Sequence, residues 1–466
     1  MGSSGRRIPI TAVLTIVSIT VSAKGGDHPR RELPANALQP PGMSFEDKIS
    51  RAQKAMLLRD TIRATATQVV HQPIKSTVAG AGRFAERVGV RLSESIPGVP
   101  LPRHQCAEAG GPLTPARITP LFDSKPAYDP LLHLISSAMA RIDLMMFGWD
   151  DDEAGRGVAV ALIARARGGV LIRLMVDRGG YVTGVGNAKV ARGEPTFLDA
   201  LRAEPNVRLI ETPDACLRFD HRKVAVVDDR IVWTGGMILT EPALERWHNF
   251  AFLAEGPIVP QYAALFNDRW RELGGCRVAS VAPVPDLPPE EPPNAIVRMV
   301  RTDLGERSLK EAVYGAVDSA QHHIYLENPY FSDQILVKKL VAARARGVDV
   351  RAVVTMRGDV PIMNRYMSIT ANHLFRGGVR VYLYPRMTHV KAMSVDGNLA
   401  YIGTGNFDEL SLRNNREVAI TVRGPELIQE IDENLFLYDM SLSQELRALL
   451  PLPRGRLLLE ALALWY

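Results

Sequence analysis

Cysteine is scarce in this sequence, and its scarcity narrows the chemistry. Cys106, Cys216 and Cys276 are the three in 466 residues, with no C-x-x-C spacing, which argues against a structural zinc site. In an exported chain they allow one disulfide and one leftover thiol, and Cys106 with Cys276 is the expected pair. Long apolar runs are wanting as well. The run Ile8 to Val21 is short for a membrane span. With Arg6 and Arg7 before it and Val21-Ser22-Ala23 at its end, it reads as an export signal with a cleavage site, the rival being an uncleaved anchor. No cysteine follows that site, which excludes a lipoprotein anchor. Glycine fingerprints for dinucleotides are missing too, since Gly168-Gly169 and Gly179-Gly180 read as turns. Nor is there a large charge excess. The net charge of +5 suits an anionic partner such as phospholipid headgroups, and simple solubility accounts for it equally well.

What is present is an ordinary globular composition, 46% apolar and 23% charged, in a chain longer than one core usually serves. Residues 1–23 form the expected signal or anchor. Residues 24–113 form a spacer and a helical extension, with Ile49, Ala52, Met56 and Leu57 at helical spacing. Residues 114–281 and 294–466 form two α/β domains, joined at 282–293 by the stiff proline linker APVPDLPPEEPP. In the first domain Pro130–Arg141 reads as a helix, Ile142–Gly148 as a strand, Gly155–Arg167 as a helix and Val170–Val176 as a strand. That alternation implies a sheet with crossover helices. The second domain repeats the order: SAMARIDLMMFGW parallels SAQHHIYLENPYF, and ARARGGVLIRLMV parallels ARARGVDVRAVV. The chain closes on RGRLLLEALALWY. Packing on the core is the default for this tail, and a membrane contact through Leu457, Leu458, Trp465 and Tyr466 is the sharper alternative.

One stretch occurs twice without a gap. His221 to Pro257 begins HRKVAVVDDRIVWTGGMI, and His389 to Pro425 begins HVKAMSVDGNLAYIGTGN. His221 matches His389, Lys223 matches Lys391 and Asp228 matches Asp396. Gly235 matches Gly403, and Gly256-Pro257 matches Gly424-Pro425, the mark of a duplicated unit. Each motif continues as a hairpin. In the first copy Val224–Val227 and Ile231–Thr234 are its strands, turning at Asp228-Asp229-Arg230; in the second the turn is Asp396-Gly397-Asn398. A helix follows each copy, ending near Leu273 and near Tyr438.

A His and a Lys two residues apart in a strand share one face. That pair suits attack on a phosphodiester. A neutral imidazole, with an ordinary pKa of about 6.5, is not repelled by an anionic substrate. The ammonium offsets charge growing on the non-bridging oxygens. Two copies supply two histidines, one to attack and one to protonate the leaving oxygen. Neither a metal nor a cofactor is called for. One H-x-K-x-x-x-x-D arises readily by chance; two inside a collinear repeat do not. Two positions break the repeat, Ile238 facing Asn406 and Asn249 facing Glu417. Ile donates no hydrogen bond, and a neutral amide stabilises an imidazolium less than a carboxylate does. The first half is therefore expected to be weakened, by roughly 1.5–3 kcal/mol per charge-assisted bond lost. His248 reads as a packed structural histidine or as pocket lining, and His322 and His323 read as exposed.

H-x-K-x-x-x-x-D followed by a G-x-x-N segment resembles the signature of the phospholipase D superfamily, over about residues 115–450. The resemblance implies two tandem α/β domains, mixed sheets flanked by helices, in a pseudo-two-fold arrangement about one site. It implies His221 as the nucleophile forming a phosphohistidine and His389 as general acid and then base. Lys223, Lys391 and Asn406 would hold phosphate oxygens. Asp228 and Asp396 belong to the catalytic motif in supporting roles, as do Gly235 and Gly403. Glu417 matches the acid that orients the histidine of the other half, a place Asn249 occupies in the first copy. The segments ARARGG, GGM, WHNFAFLAEGP and ENPYF are most similar to those of bacterial cardiolipin synthases, which move a phosphatidyl group between phosphatidylglycerols. The expected function is such a phosphatidyltransfer, with an exported phospholipase D hydrolase as the alternative. A nuclease or a non-catalytic lipid-binding relative stands behind both. The expected partner is an anionic phospholipid at a membrane surface rather than nucleic acid. The expected place is the cell envelope, on the extracytoplasmic side or attached through the N-terminus.

Overall fold

The computed structural model describes residues 109–181, 189, 192–212, 218–276 and 291–453. These belong to the second of two units into which the chain divides, Leu57–Tyr466. The expected signal, spacer and helical extension, residues 282–290 of the linker, the C-terminal tail, Cys106 and Cys216 lie outside the described residues. Cys276 is a free, exposed thiol, which corrects its expected pairing with Cys106.

The strands, in chain order, are β1 (Thr114–Phe122), β2 (Arg141–Met146), β3 (Leu171–Asp177), β4 (Val207–Thr212), β5 (Lys223–Val227), β6 (Ile231–Gly235), β7 (Trp247–His248) and β8 (Phe250–Glu255). The second half adds β9 (Ala295–Thr302), β10 (His323–Glu327), β11 (Asp349–Thr355), β12 (Arg380–Tyr384), β13 (Met387–Thr388), β14 (Ala392–Val395), β15 (Leu399–Gly403), β16 (Glu417–Arg423) and β17 (Gln444–Glu445). Fifteen of them form one sheet, in the order β17-β12-β11-β10-β14-β15-β16-β9-β1-β8-β6-β5-β2-β3-β4. Leaving β17 aside, the order is the same read inward from either edge. Near the edges the pairs β2–β3, β3–β4, β10–β11 and β11–β12 are parallel, with helices in the crossovers. Towards the middle the pairs are antiparallel, and β1 against β9 joins the halves.

Period-two alternation divides the core. Val224 and Val226 of β5 enter a cluster shared by both halves, with Phe250 and Phe252 from one side and Val418, Ile420 and Val422 from the other. Ala225 and Val227 point into a cluster confined to the first half, together with Leu144, Leu174 and Trp233. Each large side chain buried this way contributes roughly 1.5–3 kcal/mol, so the shared cluster binds the halves firmly.

The helix read as Pro130–Arg141 in fact spans Ser124–Ser137, with Pro130 inside it. Proline favours a first turn, which set the expected start. Burial of Ala127, Tyr128, Leu131 and Ile135 on one face outweighs the hydrogen bond that Pro130 lacks. The helix after the second motif runs Pro425–Ile431, then as a π-helical turn over Asp432–Leu437, then Tyr438–Leu442.

Candidate active site

Both hairpins turn through positive φ, at Asp228 (53°) and Asp229 (54°) in one, and at Asp396 (54°) and Gly397 (65°) in the other. Such turns match the twist of the flanking strands. The Asp228 carboxylate accepts from the amides of Met139 (2.7 Å), Ala140 (2.8 Å) and Arg141 (2.8 Å). Asp396 does the same for Gln321 (2.9 Å), His322 (2.7 Å) and His323 (2.9 Å). The motif aspartates, grouped above with the catalytic residues, thus brace the turn against the start of β2 or β10. Gly235 and Gly403 serve close strand packing. A Cβ on Gly235 would lie 2.4 Å from Ala251 Cα, and one on Gly403 2.5 Å from Ala419 Cα.

At the other end of each hairpin sit the His/Lys pairs, His221 with Lys223 and His389 with Lys391, all buried. Each ammonium donates to the carbonyl of its own histidine, Lys223 Nζ at 2.6 Å and Lys391 Nζ at 2.8 Å. The two halves meet here. A Cβ on Gly236 would fall 2.4 Å from the His389 carbonyl oxygen and 3.4 Å from Lys391 Cδ. Aromatic rings wall both imidazoles, Phe147 at 4.5 Å from His221 and Trp247 at 5.2 Å from His389, centroid to centroid. Burial pushes the Lys223 ammonium down to about 7. Burial and then the Lys223 charge hold Lys391 well below its ordinary value. Both histidines are depressed, first by burial and then by the two lysines, so the ligand-free imidazoles are neutral. Four basic groups buried together in this way suit an anion, whose charge would favour their protonated forms.

Glu417 is the counterweight. It crosses from the second half to accept from His221 Nδ1 at 2.7 Å, and its oxygens also accept from Thr404 Oγ1 (2.6 Å) and Ser411 Oγ (2.8 Å). Burial raises its carboxyl to about 7, against the opposing pull of Lys223 and the two hydroxyls. When Glu417 is ionised its carboxylate only accepts, so His221 then carries its proton on Nδ1 and leaves the Nε2 lone pair free.

The mirror arrangement around His389 is dismantled. Its Nδ1 is buried without a hydrogen-bond partner, and the Gly236 backbone is the group beside the ring that favours its charged form. Asn249, in the place of Glu417, spends its amide on Ser124 Oγ (2.9 Å) and the Ala243 carbonyl (3.0 Å). Gly236 and Ala243 stand where the second copy has Thr404 and Ser411, so both hydroxyl donors are gone as well. Ile238 packs against Gly148, where a Cβ would come within 2.9 Å of it. Asn406 is buried, and its amide supports Asp408, whose carboxyl burial raises to about 7. Comparing the copies at Thr404/Gly236 and Ser411/Ala243 would have exposed these two losses from sequence.

His248, expected to be packed or pocket-lining, is buried, and with Glu327 and Asp439 it brings three potential ligand atoms within 4.8 Å of one another. These are the described residues best disposed to hold a metal, and they lie behind the site. His322 is exposed, and His323 is half-buried in a stack on Tyr325.

A family model described as cardiolipin synthase, PLD-like domain, matches residues 131–270 and 314–436. The chain belongs to the phospholipase D superfamily. Cardiolipin synthase A of Klebsiella pneumoniae subsp. pneumoniae is 27% identical over 318 residues, covering 65% of this chain. Cardiolipin synthase A of Edwardsiella ictaluri is 27% identical over 329 residues, covering 68% of this chain. The chain spans 65% of the length of both these relatives. The solved structure of a phosphatidylserine synthase from Haemophilus influenzae shares the fold, with a TM-score of 0.55 at 16% identity over 74% of this chain and 92% of that one. No helix among the described residues is long and apolar enough to cross a membrane.

Proposed function

We propose that this chain is a phosphatidyltransferase that works through a phosphohistidine on His221 and converts two phosphatidylglycerols into cardiolipin and glycerol. The observation that carries the assignment is the difference between the two imidazoles. His221 is held by Glu417 with Nε2 free, while His389 has no carboxylate behind it. A nucleophile gains most from a fixed tautomer and from a carboxylate that stabilises the positive charge appearing as the bond to phosphorus forms. In the first step His221 Nε2 bonds to phosphorus, the bond to the leaving glycerol oxygen breaks, and His389 gives that oxygen a proton. In the second, the hydroxyl of another phosphatidylglycerol returns a proton to His389 and attacks phosphorus, and the P–N bond breaks. Lys223, Lys391 and Asn406 hold the phosphate oxygens. The substrate's charge offsets the two ammoniums that depress His389, which lets it take up the proton it must donate. We read the mirrored strand order as two domains, 114–281 and 294–466, in a pseudo-two-fold arrangement about this site, working at the surface of the cell-envelope membrane.

The test is product analysis after incubation with phosphatidylglycerol vesicles. Cardiolipin and free glycerol are expected, and added glycerol should drive the reaction backwards. Phosphatidic acid as the sole product would replace the transferase by a hydrolase. No lipid product, alongside cleavage of single-stranded DNA, would overturn the reading.

A further inference from the structure

His389 has no side chain to orient its ring through Nδ1, so its placement depends on its backbone and on what the backbone is tied to. That tie crosses between the halves. β7 pairs in parallel with β13, Thr388 opposite His248, and the His389 amide donates to the His248 carbonyl at 2.7 Å. The His248 side chain is gripped in turn. Its Nε2 meets Asp439 Oδ2 at 2.8 Å, and its Nδ1 lies 3.2 Å from Asp123 Oδ1 in an ion-pair contact. Asp439 comes from the second half and Asp123 from the first. The two ring nitrogens therefore face carboxylates from opposite halves of the chain.

The first copy of the motif has the same device with different parts. There the His221 amide donates to the Arg416 carbonyl at 3.0 Å, in a parallel bridge that pairs Asp220 with Arg416. Arg416 is held by Glu272 (2.7 Å) from the first half and Asp303 (3.1 Å) from the second. Arg416 and His248 occupy equivalent positions of the repeat. Each motif histidine therefore hangs from the carbonyl of a buried basic residue, and that residue contacts a carboxylate from either half.

We propose that His248 is a positioning residue for His389, acting as the buried tie between the halves that Arg416 provides for His221. Every group packed on it fits that role. Glu327 lies beside the ring and accepts from Thr388 Oγ1, the residue before His389. Burial, then the neighbouring Asp439, raises Glu327 well above the ordinary carboxyl range. Tyr384 packs its ring 5.2 Å from the imidazole, and Arg386 reaches Asp123 at 3.4 Å. The π-helical turn Asp432–Leu437 ends two residues before Asp439 and offsets the following turn, which aims Asp439 inward.

This inference rests on the proposed phosphodiester turnover for its kinetic arm, and an arm that needs no turnover accompanies it. The variants are His248→Gln, which removes the ring and with it one carboxylate contact, His248→Arg, which installs the side chain of the other copy, and Asp123→Asn, which removes one clamp at a half-exposed position. In the full chain His248→Gln is expected to lower kcat about tenfold or more with KM for lipid little changed, and His248→Arg to retain kcat within about threefold. Should His248→Gln fail to fold, Asp123→Asn is expected to lower kcat in the same direction. Wild-type kcat in the Gln variant, or equal damage from Gln and Arg, would overturn the proposal. The second arm is nitrogen-15 NMR of histidine-labelled protein, with His248→Arg for assignment. The His389 ring signals should shift in His248→Gln and stay close to the wild type in His248→Arg. Unshifted His389 signals in the Gln variant, or one equivalent of metal in purified protein that is lost in the His248 variants, would overturn it even in a preparation with no activity.

Discussion

On the proposed mechanism, a single proton on His221 Nδ1 decides the chemistry at the residue scale. Glu417 keeps it there, and Thr404 and Ser411 keep Glu417 in place. Glu417→Gln retains the shape and forfeits the charge, and the amide can present its NH₂ to the ring and reverse the tautomer. The expected result is a kcat lower by about 10²–10⁴-fold with lipid binding intact, read from steady-state kinetics and vesicle sedimentation. The opposite graft should not help. Asn249→Glu would bury a carboxylate opposite Gly236 and Ala243, which have no hydroxyl to donate. Its Cβ neighbour cannot be repaired either, because a side chain at Gly236 collides with the His389 carbonyl. Roughly 1–3 kcal/mol of lost stability and no gain in kcat are expected, read by chemical denaturation and the same kinetic assay. The first half of the site has been rebuilt as a unit rather than damaged at one position. Ile238 and Asn249 were visible in sequence as departures; the two missing hydroxyls explain why they occur together.

At the scale of the element, the two hairpins are the rigid fixtures of the fold. The alternation Val224/Val226 against Ala225/Val227 was readable because β5 is buried on both faces and its turn residues are unambiguous. A supporting role for the motif aspartates was readable, but what they support was not, since it depends on amides nearly ninety residues away in the chain for Asp228. Asp228→Ala strips three amides of their acceptor at a partly exposed turn and should cost about 1–3 kcal/mol. In the folded variant kcat should stay within about threefold of the wild type. A loss of kcat comparable to that of Glu417→Gln would return Asp228 to the reacting atoms. The helix containing Pro130 teaches the converse lesson: a strong local signal for a helix start gave way to burial on one face.

On the scale of the whole molecule, duplication made the architecture legible and also hid part of it. Collinear repeats predict equivalent halves, and the strand order reads the same inward from either edge once β17 is set aside. They do not predict how the halves engage. The β1–β9 junction, the shared core and the parallel bridges at Asp220/Arg416 and Thr388/His248 all pair residues far apart in sequence. Those contacts fix which carboxylate reaches which histidine. His221 is served by Glu417 across the midline, and His389 by no equivalent carboxylate, and the proposed division between a nucleophile and a proton carrier rests on that difference. The most direct test is to trap the covalent intermediate with phosphatidylglycerol labelled in its phosphate, quenched in alkali and mapped by peptide mass spectrometry. The account predicts a phosphatidyl adduct on His221, accumulating in His389→Ala and absent in His221→Ala. An adduct on His389 that survives in His221→Ala would contradict it.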